Sequence, residues 1–165
     1  MAQTIASTAQ TAPGRLAVGL GTSSNVIVER WNGIPFDEPY KKARDTLRFL
    51  RTALSGEKVT ETYDTFEIKG FRLGVKVPEP VPLLMAALRP GMLRLAGREA
   101  DGAIINWLSA EDVRTVAPIV QEAGGGEGAQ GRSDGGGDTG GDVGLRGRGT
   151  QEGLRGRGTH EKEIV

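Results

Sequence analysis

Cysteine is absent from this chain of 165 residues, and histidine occurs once, as His160. The absence of thiols excludes a disulfide framework, a thiolate nucleophile and a thiolate metal site. His160 stands among glycine and charged residues near the carboxyl terminus, where we interpret it as a solvated residue rather than a general base. The sequence therefore identifies no metal ligand and no catalytic acid or base, and its lack of cysteine fits a reducing cytoplasm.

Neither sign of charge is in excess, and no hydrophobic run is long. Lysine plus arginine and aspartate plus glutamate both total 21, so no global field favours nucleic acid or an anionic membrane surface. The longest apolar runs, such as residues 81–88, are far shorter than the roughly 20 residues that span a bilayer. Residues 1–12 lack the basic start and apolar centre of a signal peptide. We therefore expect a soluble, cytoplasmic protein without a nucleic-acid or membrane partner.

Residues 124–165 differ sharply in composition from residues 1–123. They contain 16 of the 26 glycines and no aromatic residue, so they cannot bury enough apolar surface to offset chain entropy and are predicted to be disordered. The repeat Gly-Leu-Arg-Gly-Arg-Gly-Thr, which starts at Gly144 and again at Gly153, is typical of RNA-binding tails, but acidic residues dilute its charge. A third interpretation, out-of-frame translation of GC-rich DNA, is the one we favour, because the helical pattern stops at Gly124.

Residues 1–123 alternate between helix and strand signals, which is typical of parallel β/α units. The clearest helix is predicted over 38–54, because Pro39 suits a first turn and apolar residues recur every three or four positions. Buried strands are predicted at 15–20, 83–87 and 102–106, helices at 2–12, 91–96 and 109–121, a helix or turn at 25–30, and a hairpin or extended excursion at 59–71. The predicted fold class is α/β.

Glycines and hydroxyls follow the first predicted strand, in the order Gly19-Leu20-Gly21-Thr22-Ser23-Ser24. Glycine there lets the backbone approach a ligand, and hydroxyls and free amides at the next turn can hold a phosphate or a ribityl chain. The third glycine and the acidic residue of a dinucleotide-binding fingerprint are missing. An ordinary strand-to-helix turn is an equally good explanation of this pattern.

Small residues also surround the second strand, in the segments 85–93 and 96–102. They permit a flat ring to approach the strand end, and Gly91 near a helix start leaves amide donors exposed. The structural alternative is tight helix–strand packing, to which Ala96 and Gly97 are well suited. Both interpretations can hold together.

Four ordered patches are similar to the bacterial-luciferase-like family: residues 14–24, 31–36, 85–88 and 100–102. Together they are far more specific than any one alone, and within that family they most resemble members that use the deazaflavin coenzyme F420. The resemblance covers nearly all of residues 1–123 and implies a TIM-type (β/α)8 barrel with its cofactor at the carboxyl ends of the strands. The three predicted strands resemble strands four, five and six of that barrel.

The resemblance implies an incomplete barrel, with a partial barrel domain at 1–123 and the disordered segment at 124–165. The family's strands one to three and seven to eight have no counterpart in the sequence. Three strands would leave an apolar sheet and two open edges exposed. We therefore expect marginal stability, or survival as a homo-oligomer or beside a complementing barrel segment.

The resemblance also implies cofactor contacts and a reaction. The turn that contacts cofactor in relatives is matched by Gly21, Thr22, Ser23 and Ser24, and the loop that approaches the ring or phosphate by Ala87, Leu88, Gly91 and Met92. The implied activity is hydride transfer between F420 and a small-molecule substrate, with the protein positioning the cofactor. An FMN-dependent monooxygenase and a non-catalytic truncated product remain alternatives. Trp31 and Trp107 either line the site or pack in the core or at its rim.

Overall fold

The computed structural model describes residues 1–125 and 163–164. The helices are α1 (Ala2–Thr11), α2 (Pro39–Leu54), α3 (Pro90–Glu99) and α4 (Ala110–Gly125), and a π-helical turn spans Val26–Trp31. The strands are β1 (Val18–Leu20), β2 (Val59–Thr62), β3 (Glu67–Phe71), β4 (Leu83–Ala86), β5 (Gly102–Ile104) and β6 (Glu163–Ile164). The order of helices and strands confirms the predicted α/β class, and all three predicted buried strands are present, each shorter than predicted.

The main sheet has the strand order β1-β4-β5-β6, and every pair in it is parallel. Leu20 lies opposite Met85, and Met85 lies opposite Ala103, so β1, β4 and β5 end at the same edge. Parallel strands joined by helices bring the segments that follow them together at that edge. The carboxyl edge of the sheet is therefore the place where the loops after β1, β4 and β5 meet.

The helices cover one face of this sheet. Leu83 and Met85 of β4 are fully buried, whereas Leu84 and Ala86, which point to the opposite face, are only half-buried. The core also contains fully buried side chains from the helices: Leu47, Leu50, Ala53, Leu93, Leu95 and Val120. Burial of large aliphatic side chains, at about 1.5–3 kcal/mol each, is the main force that holds the helices on the sheet.

Residues 59–71 form an antiparallel hairpin, which settles the alternative left open by the sequence. Asp45 of α2 links this hairpin to the helix, because its Oδ2 accepts hydrogen bonds from the Thr65 amide at 3.0 Å and the Thr65 hydroxyl at 2.9 Å. The Phe49 ring of α2 packs edge-on against Phe71 of β3, with ring centroids 5.4 Å apart. The hairpin is thus attached to the outer helix rather than to the main sheet.

Two features near the carboxyl terminus were not predicted. Helix α4 continues to Gly125, four residues past its predicted end, and β6 pairs in parallel with β5 through Gly102–Glu163 and Ala103–Ile164. The remaining predictions for residues 124–165, including disorder and RNA contact, concern residues 126–162 and 165, which lie outside the described part. In the described part, no helix is long and apolar enough to cross a membrane.

Gly97 packs α3 against α4, and not against a strand as the sequence suggested. A Cβ on this glycine would lie 2.2 Å from the carbonyl oxygen of Val120 and 2.8 Å from the Cβ of Ala123. The close approach explains why the helical pattern extends past Gln121, since Ala123 belongs to the contact. Packing against α3 therefore stabilises the end of α4, where the glycines would destabilise an isolated helix.

Candidate functional site

The loops after β1 and β4 begin next to each other at the carboxyl edge of the sheet. Gly21 comes directly after β1, and a Cβ on it would lie 3.4 Å from the Cβ of Ala86, the last residue of β4. This distance is an ordinary van der Waals contact, so the two residues lie directly beside each other. The two predicted cofactor segments, 21–24 and 87–92, therefore start side by side.

The three hydroxyl residues after Gly21 differ in how far their side chains are engaged. Thr22 is half-buried, and its hydroxyl donates only a long hydrogen bond of 3.5 Å to the Ser23 carbonyl. Ser23 is exposed and has a left-handed backbone with φ of 60°, an uncommon conformation for a residue other than glycine. Thr22 and Ser23 thus present hydroxyls at the site.

Ser24 has a different role from its two neighbours. Its carbonyl accepts a hydrogen bond from Val28 at 2.9 Å, and its hydroxyl accepts a long one from the Ile27 amide at 3.5 Å. Both bonds start the π-helical turn over Val26–Trp31, a geometry that is rare in proteins and concentrated at functional sites. Ser24 therefore shapes the loop, and its hydroxyl is partly occupied.

Ala87 and Leu88 do not have equal access to a ligand. The Ala87 side chain is buried, and its amide donates to the Ile104 carbonyl at 3.0 Å, so neither group faces outward. Leu88 is 53% exposed at the same edge. Ala87 fixes the position of the loop, and Leu88 is the residue of the two that a ligand can touch.

The first turn of α3 supplies main-chain donors. No side chain caps this helix, which begins with Pro90, so the amides of Gly91 and Met92 lack the intrahelical partners that later residues have. Nothing lies within 4 Å of the place where a Gly91 Cβ would be, so the space above it is open. A helix start of this kind favours a negatively charged or polar group.

A cavity of about 280 Å³ lies beside Thr22, between the π-helical turn and α2. Of the predicted cofactor residues, only Gly21 and Thr22 border it, and the other six lie outside its lining. Sequence reasoning assigned no role to Val28, Phe36 or Lys42, which form part of its wall. The short apolar run Ile34-Pro35-Phe36 is the sequence signal that could have indicated an apolar wall there, although Ile34 and Pro35 are exposed.

The two tryptophans do not pack in the core. Trp31 is 74% exposed, and Trp107, with φ of 59°, is 95% exposed. Trp31 ends the π-helical turn after β1, and Trp107 follows β5, so both follow strands that end at the carboxyl edge. Core packing, one of the alternatives for these residues, is therefore wrong.

A larger cavity of about 430 Å³ lies at the opposite, amino edge of the sheet, near Asp101. Four of its five charged groups pair with one another, because Arg48 donates two hydrogen bonds of 2.6 Å to Glu99 and Arg51 donates to Asp101 at 3.2 Å; the fifth, Arg98, donates to the Tyr40 hydroxyl at 3.1 Å. The Glu99 carboxylate raises the pKa of the Arg48 guanidinium above its ordinary value. In β/α folds residues at this edge serve stability rather than chemistry, so the size of the cavity does not identify it as the functional site.

No group of three or more histidine, aspartate or glutamate side chains is placed to hold a metal ion among the residues that the structure describes. The chemistry available at the carboxyl edge therefore comes from hydroxyls, main-chain amides and apolar surface. Such a set binds and orients a ligand that brings its own reactivity.

Comparison with known proteins identifies relatives over most of the chain. A 5,10-methylenetetrahydromethanopterin reductase of Methanolobus tindarius is 32% identical over 127 residues, which are 74% of this chain and 38% of that protein. An F420-dependent glucose-6-phosphate dehydrogenase of Kineococcus radiotolerans is 30% identical over 140 residues, 82% of this chain and 40% of that protein. The chain thus spans about two fifths of the length of these relatives.

Solved structures give the same fold. An F420-dependent secondary alcohol dehydrogenase, in complex with an F420-acetone adduct, matches with a TM-score of 0.68 and 23% identity, over 74% of this chain and 38% of its own. The coenzyme F420-dependent tetrahydromethanopterin reductase of Methanopyrus kandleri matches with a TM-score of 0.67 and 22% identity, over 74% of this chain and 40% of its own. These likenesses confirm the predicted partial TIM-barrel fold.

A family model described as luciferase-like monooxygenase matches residues 1–133, which include all four patches that carried the resemblance. The matched region includes β1 to β5 and every helix described above. The chain belongs to the luciferase-like monooxygenase family.

Proposed function

We propose that this chain binds coenzyme F420 at the carboxyl edge of its sheet and contributes to hydride transfer between that coenzyme and a small-molecule substrate. The observation that carries the proposal is the contact between Gly21 and Ala86, which joins the two predicted cofactor loops at one edge. The F420-dependent relatives support the choice of cofactor.

The residues at this edge fit a flat, polar cofactor with an anionic tail. Gly21 and Ala86 are small enough to let a ring approach the strand ends. The Thr22 and Ser23 hydroxyls and the free amides of Gly91 and Met92 suit phosphate or ribityl oxygens. When bound, F420 supplies the hydride chemistry through its deazaflavin ring.

In this proposal the chain's own residues bind and position the coenzyme. Thr22 and Ser23 hold its polar tail from the β1 side, and the start of α3 holds it from the β4 side. Ser24 and Ala87 keep the two loops in place through their main-chain hydrogen bonds. Leu88 is exposed at the carboxyl edge and, in this proposal, shields one edge of the deazaflavin ring from water.

Two other functions compete with this one. An FMN-dependent monooxygenase would use the same edge, and the family's description favours it. A non-catalytic role would leave the hydroxyls and amides without a ligand. Absorbance titration of the purified chain with F420 and with FMN distinguishes the three. We expect F420 to bind more tightly; tighter binding of FMN supports the monooxygenase, and binding of neither at high micromolar concentration rules out both enzymatic functions for this chain.

We also propose a cytoplasmic location and association with a second copy or with a complementing barrel segment. The open edge of β1 supports the association, because β1 pairs only with β4 among the described strands. Sedimentation analysis of the purified chain tests it: a concentration-independent monomer would contradict self-association.

A further inference from the structure

Two strands of the main sheet, β1 and β5, lack the features that normally keep the edge of a sheet from pairing with another chain. The sequence of β1 is Val-Gly-Leu and that of β5 is Gly-Ala-Ile, so neither strand contains a charged residue or a proline. Both also pair with β4 in a regular register, without a bulge. Natural proteins protect edge strands with lysine, proline or bulges, because an unprotected edge is a template for a further strand. The edges of β1 and β5 are therefore suited to strand pairing.

The β2–β3 hairpin shows how edges are protected elsewhere in this chain. Its strands contain Glu61, Glu67 and Lys69, and its register shifts between Val59 and Glu61. Charged side chains and an irregular register both oppose pairing with a further strand. The main sheet has neither device along β1 and β5, so its protection must come from another element.

β6 covers one of these two edges. Glu163 pairs with Gly102 and Ile164 pairs with Ala103, in the same parallel direction as the rest of the sheet. Two residue pairs join β6 to β5, whereas three join β1 to β4 and three join β4 to β5. A short strand of the same chain thus occupies the edge of β5, while β1 has β4 as its one neighbour among the strands that the structure describes.

The direction of the strands determines how two copies of the chain can pair. When β1 pairs with β1 of a second copy, a two-fold axis relates the copies, and the assembly closes at two chains. When β1 pairs with β5 of a second copy, the parallel sheet continues head to tail. Each added copy then leaves a new open edge, so this assembly does not close. Occupation of the β5 edge by β6 permits the first arrangement and blocks the second.

We propose that β6 is a cap on a strand-binding edge of β5, and that the partner it excludes is the β1 edge of a second copy of this chain. With the cap in place, association through the main sheet stops at two chains. Without it, β1 of each copy extends the sheet of the next one. This inference goes beyond the association proposed above and does not depend on binding of the coenzyme.

Sedimentation of full-length variants over a range of concentrations tests the cap. The double variant Glu163→Pro/Ile164→Pro removes two successive amides, one of which must face β5 because N–H groups alternate in direction along a strand. We expect the average mass of the wild type to level off at no more than two chains. That of the double variant should keep rising with concentration and exceed two chains.

A matched double variant controls for the prolines and for the lost charge. Gln151→Pro/Glu152→Pro also replaces one glutamate and one uncharged residue by proline, but away from the two residues that pair with β5. We expect its average mass to follow that of the wild type at every concentration.

Lysine variants distinguish pairing of the native edges from non-specific aggregation. Ala17 is exposed directly before β1, and Gln121 is exposed on α4. In the Glu163→Pro/Ile164→Pro background, Ala17→Lys should return the mass to no more than two chains, because a lysine at an edge opposes strand pairing. Gln121→Lys adds the same charge away from the edge and should not reduce the mass.

Three outcomes overturn the cap: growth of the wild type beyond two chains, a Glu163→Pro/Ile164→Pro variant that behaves as the wild type, and equal effects of the two lysine substitutions. A monomeric wild type with a growing double variant contradicts the self-association proposed above and leaves the cap standing. An F420 titration of the same variants tests the coenzyme proposal separately, because neither proline lies in the candidate cofactor segments.

Discussion

A Cβ built on Gly97 would lie 2.2 Å from the carbonyl oxygen of Val120, so α3 and α4 approach each other as closely as only glycine allows. Replacing glycine by alanine inside a helix ordinarily stabilises it by about 0.5–1 kcal/mol. Here the added methyl must push a main-chain carbonyl aside, and we expect Gly97→Ala to lower the free energy of unfolding by about 1–3 kcal/mol. Urea denaturation of the full-length wild type and variant measures this difference in the free energy of unfolding.

Gly91→Ala is the matched control in the same helix. Nothing lies within 4 Å of its added Cβ, so we expect stability equal to or slightly above that of the wild type. If Gly97→Ala proves as stable as Gly91→Ala, the packing of α3 against α4 described above is wrong.

Asp45 makes the stability of the hairpin contact depend on pH. Its burial alone would raise the pKa of this carboxyl, but hydrogen bonds from Arg44 and Thr65 outweigh burial and hold the pKa below its ordinary value. A folded-state pKa below the unfolded value of about 3.9 means that the stabilisation is complete above that pH and is lost as the pH falls through the folded pKa. We expect Asp45→Asn to cost about 1–3 kcal/mol at neutral pH and to flatten this acid dependence.

Asp64→Asn is the control, because Asp64 also pairs with Arg44, at 2.8 Å, yet is mostly exposed. An exposed ion pair contributes about 0–1 kcal/mol, so its loss should be small at every pH. Chemical denaturation between pH 2 and pH 7 compares the two variants, and an Asp45→Asn curve parallel to that of the wild type would contradict the assignment.

Substitutions at Thr22 and Trp107 test whether polar or apolar contacts contribute more to F420 binding at the proposed site. We expect Thr22→Ala to weaken F420 binding by at least about tenfold, since a hydrogen bond to a charged group contributes about 1.5–3 kcal/mol. Trp107→Ala should have a smaller effect, because this side chain is 95% exposed. Fluorescence titration of F420 measures both, and equal losses would show that the anionic end of the coenzyme lies elsewhere.

Much of the fold could be predicted because its signals are local. The Pro39 start and the apolar spacing to Leu54 indicate α2 to within a residue, and each buried strand of the sequence analysis is present. The extension of α4 and the pairing of β6 could not be predicted, because both depend on contacts between distant segments, such as Gly97 with Ala123.

The sequence predicted that the two candidate cofactor segments follow neighbouring strands, but not what each of their residues contacts. The glycine and hydroxyl pattern lies after β1 as predicted, and the structure brings Gly21 beside Ala86 at the end of β4. The occupied amide of Ala87 and the shaping role of Ser24 follow from hydrogen bonds that sequence spacing does not encode. The cavity wall at Val28 and Lys42 depends on how the π-helical turn faces α2; the sequence predicted a helix or turn at 25–30, but neither its π-helical geometry nor the face that it presents.

Amide chemical-shift mapping of the full chain during an F420 titration tests the central claim most directly. The account predicts that the amides of Thr22, Ser23, Gly91 and Met92 shift together and saturate at one concentration, while those of Arg48 and Asp101 at the amino edge stay in place. Shifts centred on Arg48 and Asp101, or no saturable shift at the carboxyl edge, would contradict it.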